Sequence, residues 1–229
     1  MCGRYALIQT NELTERFDID DDEFQELADS IKPRYNVAPE QIMPVVTRSE
    51  DQNHLELMQW GFMPPWAREP RDVFKYNTFN ARSEGIFDKA LWRRAVRDRR
   101  CLVPASGFYE WQQTAVGKQP YYIHAKESDL MAFAGVYRYW EVEPGTELGT
   151  YSILTTEADR TLAPIHNRMP VILDKATEGQ WLDPGAAPES LQRLLTPYKS
   201  SWLDIYAVSK NVNTSRLDIA TLVEPINSR

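Results

Sequence analysis

The feature that most limits what this chain can become is a series of seven short segments rich in β-branched and aromatic residues. They are IMPVVTR (42–48), HLELMQW (54–60), RCLVPASGFYEW (100–111), QPYYIHA (119–125), LMAFAGVYRYW (130–140), GTYSILTT (149–156) and SWLDIYAVS (201–209). Pro, Gly, Asn and Asp punctuate the series, the pattern of strands separated by turns. Helical spacing is confined to shorter stretches. Residues 11–30 carry Leu13, Phe17, Phe24 and Leu27 near helical spacing, with DIDDD (18–22) as an interruption. Further helices are predicted over 86–98, 157–164, 174–182 and 188–195. The sum is an α+β fold, a mainly antiparallel barrel-like sheet with several flanking helices.

No internal repeat, low-complexity tract or Gly/Ser-rich linker divides the 229 residues, so one domain over 1–229 is expected. No apolar run approaches the ~18 residues needed to cross a bilayer, and MCGRYALIQTNELTERF lacks the basic start and long apolar stretch of a secretory signal. A cytoplasmic monomer without membrane association is expected. The net charge of -7 argues against broad attraction to nucleic acid, so any phosphate-binding surface must be local. Arginine supplies 18 of the 26 basic residues and suits bidentate phosphate contacts. The densest basic run, RRAVRDRR (93–100), reads as the solvated face of a helix, as does the acidic DIDDDEFQELAD (18–29).

Only two cysteines are present, Cys2 and Cys101, and with His54, His124 and His166 they show no zinc-ligand spacing. Neither a metal nor a cofactor is expected. Cys101, inside RCLVP, reads as a buried strand residue. Cys2 differs because it is small enough for removal of Met1 to expose it as a new N-terminus. It would then carry an α-amine titrating near ~7.7–8.0 and a thiol near ~8.5, both partly deprotonated at neutral pH. While Met1 remains, that amine is locked in a peptide bond.

Three clusters place polar side chains where packing has little use for them. In FNARSE (79–84), Asn80 and Arg82 point the same way if the segment is extended; an ordinary turn is the alternative. In SGFYEW (106–111), Glu110 stands between Tyr109 and Trp111, and a carboxyl among aromatic rings has its pKa raised toward the range of general acid and base work. A strand glutamate facing water is the alternative there. In PIHNRMP (164–170), His166 and Arg168 lie on a loop pinned by Pro164 and Pro170, which suits a proton carrier. PRYNVAPEQ (33–41) and WGFMPPWAREP (60–70) mix aromatics with rigid prolines, as suits either base stacking or a plain loop core.

Taken in order, MCGRY, PRYNVAP, WGFMPPW, FNARSE, SGFYEW, HNRMP and VSKNVN resemble the motifs of the SOS-response-associated peptidase (SRAP) family of abasic-site-processing proteins, over nearly the whole chain. Ser83 stands where an alanine is common. The resemblance implies that Cys2, after loss of Met1, traps the ring-opened aldehyde of an abasic site in single-stranded DNA as a thiazolidine. It further implies that Asn80 orients the Cys2 amine, that Glu110 shuttles protons and that His166 assists sugar opening or proton transfer. Arg4, Arg82 and Arg168 would hold flanking phosphates, with Trp66 or Trp111 stacking on neighbouring bases. Peptidase activity would be limited to release of Met1, alongside lyase-like imine chemistry. Two other readings stand beside it: a general cysteine peptidase using Cys2, His166 and Asn80, and a noncovalent single-strand binding module built on Arg and Trp.

Overall fold

A computed structural model describes residues 2–69 and 72–226. Its strands run in the order β1 (Tyr5–Leu7), β2 (Arg34–Val37), β3 (Ile42–Ser49), β4 (Gln52–Trp60), β5 (Asn80–Arg82), β6 (Arg100–Ala105), β7 (Gly107–Thr114), β8 (Gly117–Ala125), β9 (Met131–Glu143), β10 (Thr146–Glu157), β11 (Arg168–Pro170), β12 (Ile172–Leu173) and β13 (Leu203–Ala207). Five strands close on themselves as a barrel in the order β10-β4-β3-β6-β9 and back to β10. A second sheet has the order β13-β8-β7-β1-β2. The fold is therefore α+β and mainly antiparallel. Its parallel pairs are β10 with β4 and β10 with β5, where Ile153, Leu154 and Thr155 face Asn80, Ala81 and Arg82.

All seven predicted strand segments are strands, but the run 100–111 is two strands in two sheets, β6 in the barrel and β7 beyond it. The single residue between them, Ser106, makes the crossing. Its amide donates to the Ala6 carbonyl at 2.7 Å, and its hydroxyl accepts from the Ile8 amide at 2.8 Å. Gly107 follows because a Cβ there would lie 2.3 Å from Cζ of Tyr122, so only glycine lets that ring lie across the strand. The core beneath is aromatic. Tyr5 meets Trp60 edge-on at 5.2 Å and Phe108 meets Phe133 at 5.9 Å, while the Tyr5 and Tyr151 hydroxyls bond at 2.8 Å. Each such buried ring contributes about 1.5–3 kcal/mol through apolar burial.

Helices are shorter than their sequence pattern. Residues 11–30 split at Asp18, whose φ of 54° ends Leu13–Phe17 before Asp20 caps Asp21–Leu27 by accepting from the Asp22 and Glu23 amides. Lys175–Leu182, capped by Asp174, and Pro188–Leu194 form as expected. Two predicted helices do not. Over 157–164 the ladder to Arg168 carries β10 on to Glu157, and the residues after Asp159 make only turns. Over 86–98, Ile86 and Trp92 are drawn into the core, and turns run until the short helix Ala95–Asp98. The basic run is accordingly no continuous helical face. Arg100 is buried and donates to the carbonyls of Trp181 at 2.6 Å and Val96 at 3.0 Å. Among the described residues, no helix is long and apolar enough to cross a membrane.

Candidate active site

The site begins with the register of β1 on β7. Tyr5 faces Phe108, Ala6 faces Gly107, and the Tyr109 amide donates to the Arg4 carbonyl at 3.0 Å. Continuing that antiparallel register brings the Cys2–Gly3 end alongside Glu110 and Trp111. From the other side, β5 delivers Asn80, whose Nδ2 donates to the Cys2 carbonyl at 2.7 Å. Asn80 is nearly buried, and its Oδ1 has no hydrogen-bond partner among the described residues, which leaves an acceptor beside residue 2.

A cavity of about 480 Å³ opens here, lined by Gly3, Phe79, Glu110, Trp111, Lys118, His166 and Asn213. Cys2, adjacent in the chain to the lining residue Gly3, has no exposed surface, and its Sγ lies 3.6 Å from the Arg4 carbonyl. Burial, with Glu110 adding to it, pushes the Cys2 thiol well above its ordinary pKa, so the thiol is held protonated. Burial likewise pushes the Glu110 carboxyl up to about 7, where it can take or give a proton near neutrality. His166 brings its Nδ1 to 3.8 Å from Glu110 Oε2. Burial lowers the pKa of that ring and keeps it neutral. Of the two Arg168 backbone groups near Nδ1, the amide at 3.0 Å donates to it, and the ring proton therefore sits on Nε2.

The other expected site residues divide. Trp111 is fixed by its indole N–H, which donates to Asn213 Oδ1 at 2.7 Å at the cavity wall. Trp66 is outside that lining, half exposed and edge-on to Tyr76 at 5.9 Å. Arg82 is exposed on β5, and partly buried Arg4 donates to the Gly3 carbonyl at 3.4 Å. Arg168 is buried. Its guanidinium donates to both oxygens of Glu84, at 2.6 and 3.0 Å, and to the Thr155 carbonyl at 2.5 Å, which ties the His166 loop to β10. Sequence reasoning missed Lys118 and the roles of Asn213 and Phe79. Asn213 and Phe79 lie inside quoted motifs, VSKNVN and FNARSE, whereas Lys118 sits at a hairpin with no distinguishing pattern. Cys101 is buried in β6 with its thiol pushed up by burial, as an inert strand cysteine.

A five-stranded barrel with a flanking sheet, bearing at its edge a cavity that holds an elevated carboxyl and a neutral imidazole, is the architecture that defines this class of protein. The chain belongs to the family described as SOS response associated peptidase (SRAP), whose model matches residues 1–215. It is 38% identical over 234 residues to the abasic site processing protein YoaM of Bacillus subtilis, covering 99% of each chain. It is 37% identical over 228 residues to YoqW of the same organism, also named an abasic site processing protein, over 98% of this chain and 99% of the relative. A crystal structure of a Bacteroides thetaiotaomicron protein superposes with a TM-score of 0.88 at 27% identity, covering 99% of this chain and 100% of the other.

Proposed function

We propose that this chain processes abasic sites in DNA, and that after removal of Met1 it traps the ring-opened aldehyde of such a site in single-stranded DNA on Cys2. The α-amine adds to the aldehyde carbon to give a carbinolamine, which loses water to form an imine. The Cys2 sulfur then adds to the imine carbon, and its proton passes to the nitrogen. The product is a five-membered thiazolidine, and one water is released overall.

The cavity supplies what each step needs. Dehydration requires a proton on the departing oxygen, and closure requires one taken from a thiol that burial holds protonated. A carboxyl poised near 7 serves both directions, in keeping with Glu110 as the proton shuttle. The His166 Nε2–H is the donor for opening the sugar ring. The Asn80 Oδ1 is the acceptor that orients the freed amine. Peptidase action is restricted to release of Met1, which lies outside the described residues. Arg82 and Arg4 hold flanking phosphates, Trp111 stacks on a neighbouring base, and Arg168 holds the His166 loop in place.

The observation that carries this reading is the Asn80 bond to the Cys2 carbonyl at 2.7 Å beside Glu110, in a chain whose relatives are named for abasic site processing. Intact-mass measurement tests it. The purified protein is weighed before and after incubation with an abasic oligonucleotide. The expected product is the chain without Met1 plus the oligonucleotide minus one water. An oligonucleotide recovered unattached, with Met1-free protein in the sample, defeats the reading.

A further inference from the structure

The proposed reaction leaves the basic run at 93–100 without a role. With Arg100 taken into the core, the exposed Arg93, Arg94 and Arg99 meet Arg138 of β9 around a cleft of about 440 Å³ that also presents Tyr137 and Tyr139. In a chain of net charge -7, four such guanidiniums would ordinarily be answered by carboxylates. Among the described residues Arg93, Arg99 and Arg138 join no ion pair, and Arg94 reaches only Asp98, at 3.9 Å. Glu147 is the single acidic residue lining the cleft. Arg99 lies over both tyrosine rings, 5.9 and 5.4 Å from their centroids. Burial, then Arg99 and Arg94, disfavour the charge on Arg138. A self-repelling cluster of this kind is relieved by an anion.

We propose that this cleft binds the phosphodiester backbone of the same DNA strand that carries the abasic residue, several nucleotides away from the trapped site; this rests on the reading of the Cys2 cavity given above. The strand is favoured over other polyanions by continuity between the two sites. Phe62 lines the arginine cleft and its amide donates to the Thr78 carbonyl at 3.3 Å, next to Phe79, which lines the Cys2 cavity; Trp66, beside the cleft residue Pro65, is half exposed. Arginines interleaved with an exposed aromatic are the equipment of single-strand binding. The spacing is also suitable. Glu147 at the cleft and Thr155, which pairs with Arg82, lie on β10 about 26 Å apart at ~3.3 Å per residue. A stacked strand advancing ~3.4 Å per nucleotide covers that in about eight nucleotides, and an extended strand in fewer.

The test is fluorescence anisotropy with single strands from about 4 to about 16 nucleotides, each carrying one tetrahydrofuran, an abasic analogue that cannot open to an aldehyde. Affinity for the native protein is expected to rise with length. Arg93→Ala/Arg94→Ala/Arg99→Ala is expected to bind the longest strand about tenfold or more weakly, with a salt slope shallower by roughly 2. The shortest strand should bind as before and its true abasic counterpart should crosslink at the native rate. Arg93→Glu/Arg94→Glu changes only exposed side chains and repeats the test if loss of Arg99 disturbs the tyrosines. Unchanged affinity and slope on the longest strand overturn the proposal. So does an equal loss at every length, or a loss confined to duplex DNA or to free nucleotide competitors. Failure of the native protein to crosslink any abasic strand would instead strike the Cys2 reading, while the length series on undamaged strands still reads the cleft.

Discussion

His166 holds its Nδ1 3.8 Å from Oε2 of Glu110, and burial tunes the two groups in opposite senses, the carboxyl up to about 7 and the imidazole down. Near neutrality the carboxyl is then divided between its two forms while the ring is uncharged, so Glu110 is the member able to exchange a proton.

That tuning predicts a pH-dependent rate. Crosslinking to an abasic oligonucleotide should show a limb centred near pH 7, and Glu110→Gln should remove the limb and slow the reaction about 100-fold or more, the usual contribution of a positioned proton carrier. Single-turnover rates from pH 5 to 9 check this. A Glu110→Gln profile matching the native one in rate and shape removes the residue from the mechanism.

The same shift has a stability consequence. Because the folded pKa of Glu110 lies above its ordinary 4.5, the fold favours the protonated carboxyl. Its contribution is complete below about pH 4.5 and is lost as pH rises through about 7. The gap corresponds to about 3 kcal/mol at most, to order of magnitude. Glu110→Gln should therefore melt above the native protein at pH 8, with the two converging toward pH 5. Thermal melts at both pH values decide it, and a native advantage at pH 8 contradicts the assignment.

Cys2 separates the amine from the thiol. Cys2→Ala and Cys2→Ser, each with Met1 removed, keep an N-terminal amine and can form the imine, but neither can close a sulfur ring. Both should give no adduct that survives denaturation, and both should yield one when borohydride reduces the imine. Denaturing gels with and without reductant read this directly. A stable adduct from Cys2→Ala without reductant would rule out the thiazolidine.

Asn80→Ala removes the donor to the Cys2 carbonyl from a nearly buried position. An unsatisfied buried carbonyl costs about 1–3 kcal/mol, so the melting point should drop. The crosslinking rate should fall by about tenfold or more, since a misplaced amine loses its near-attack geometry. Comparison with Thr78→Val, a change at a buried hydroxyl with no hydrogen-bond partner among the described residues, distinguishes positioning from general loosening: only Asn80→Ala should slow the chemistry.

Much of the barrel is legible because its strands are long and apolar, and residues 42–48, 54–60 and 130–140 announce themselves by composition. The strands that build the site are not. β1, β5 and β11 have three residues each, too short for any periodicity, and they exist because longer partners β7 and β10 offer them a ladder. Glu110 could be suspected from Tyr109 and Trp111, yet its elevated pKa comes from burial between layers that the sequence cannot show. The helices expected over 86–98 and 157–164 had acceptable local patterns, but core packing of Trp92 and the pairing of Glu157 with Arg168 prevailed over them.

Arginines 82 and 168 look equivalent in sequence, and the fold sets them in different surroundings. Arg82 is exposed on β5, whereas Arg168 is buried, engaging Glu84 and the Thr155 carbonyl beside His166. Arg82→Ala should leave the melting point within a degree or two and weaken binding to a tetrahydrofuran-containing strand, with a salt slope shallower by about 0.7. Arg168→Ala should destabilise by about 1–3 kcal/mol, because the charge-assisted bonds to Glu84 and to the Thr155 carbonyl are lost, the latter keeping only the Ser83 amide. It should also slow crosslinking by releasing the His166 loop. Arg168→Lys restores one positive charge without the two-pronged contact to Glu84, so it should recover little of either loss. Melting curves and anisotropy on the three variants separate a phosphate contact from a structural one. A melting point unchanged in Arg168→Ala, together with a reduced salt slope, would move Arg168 to the DNA surface.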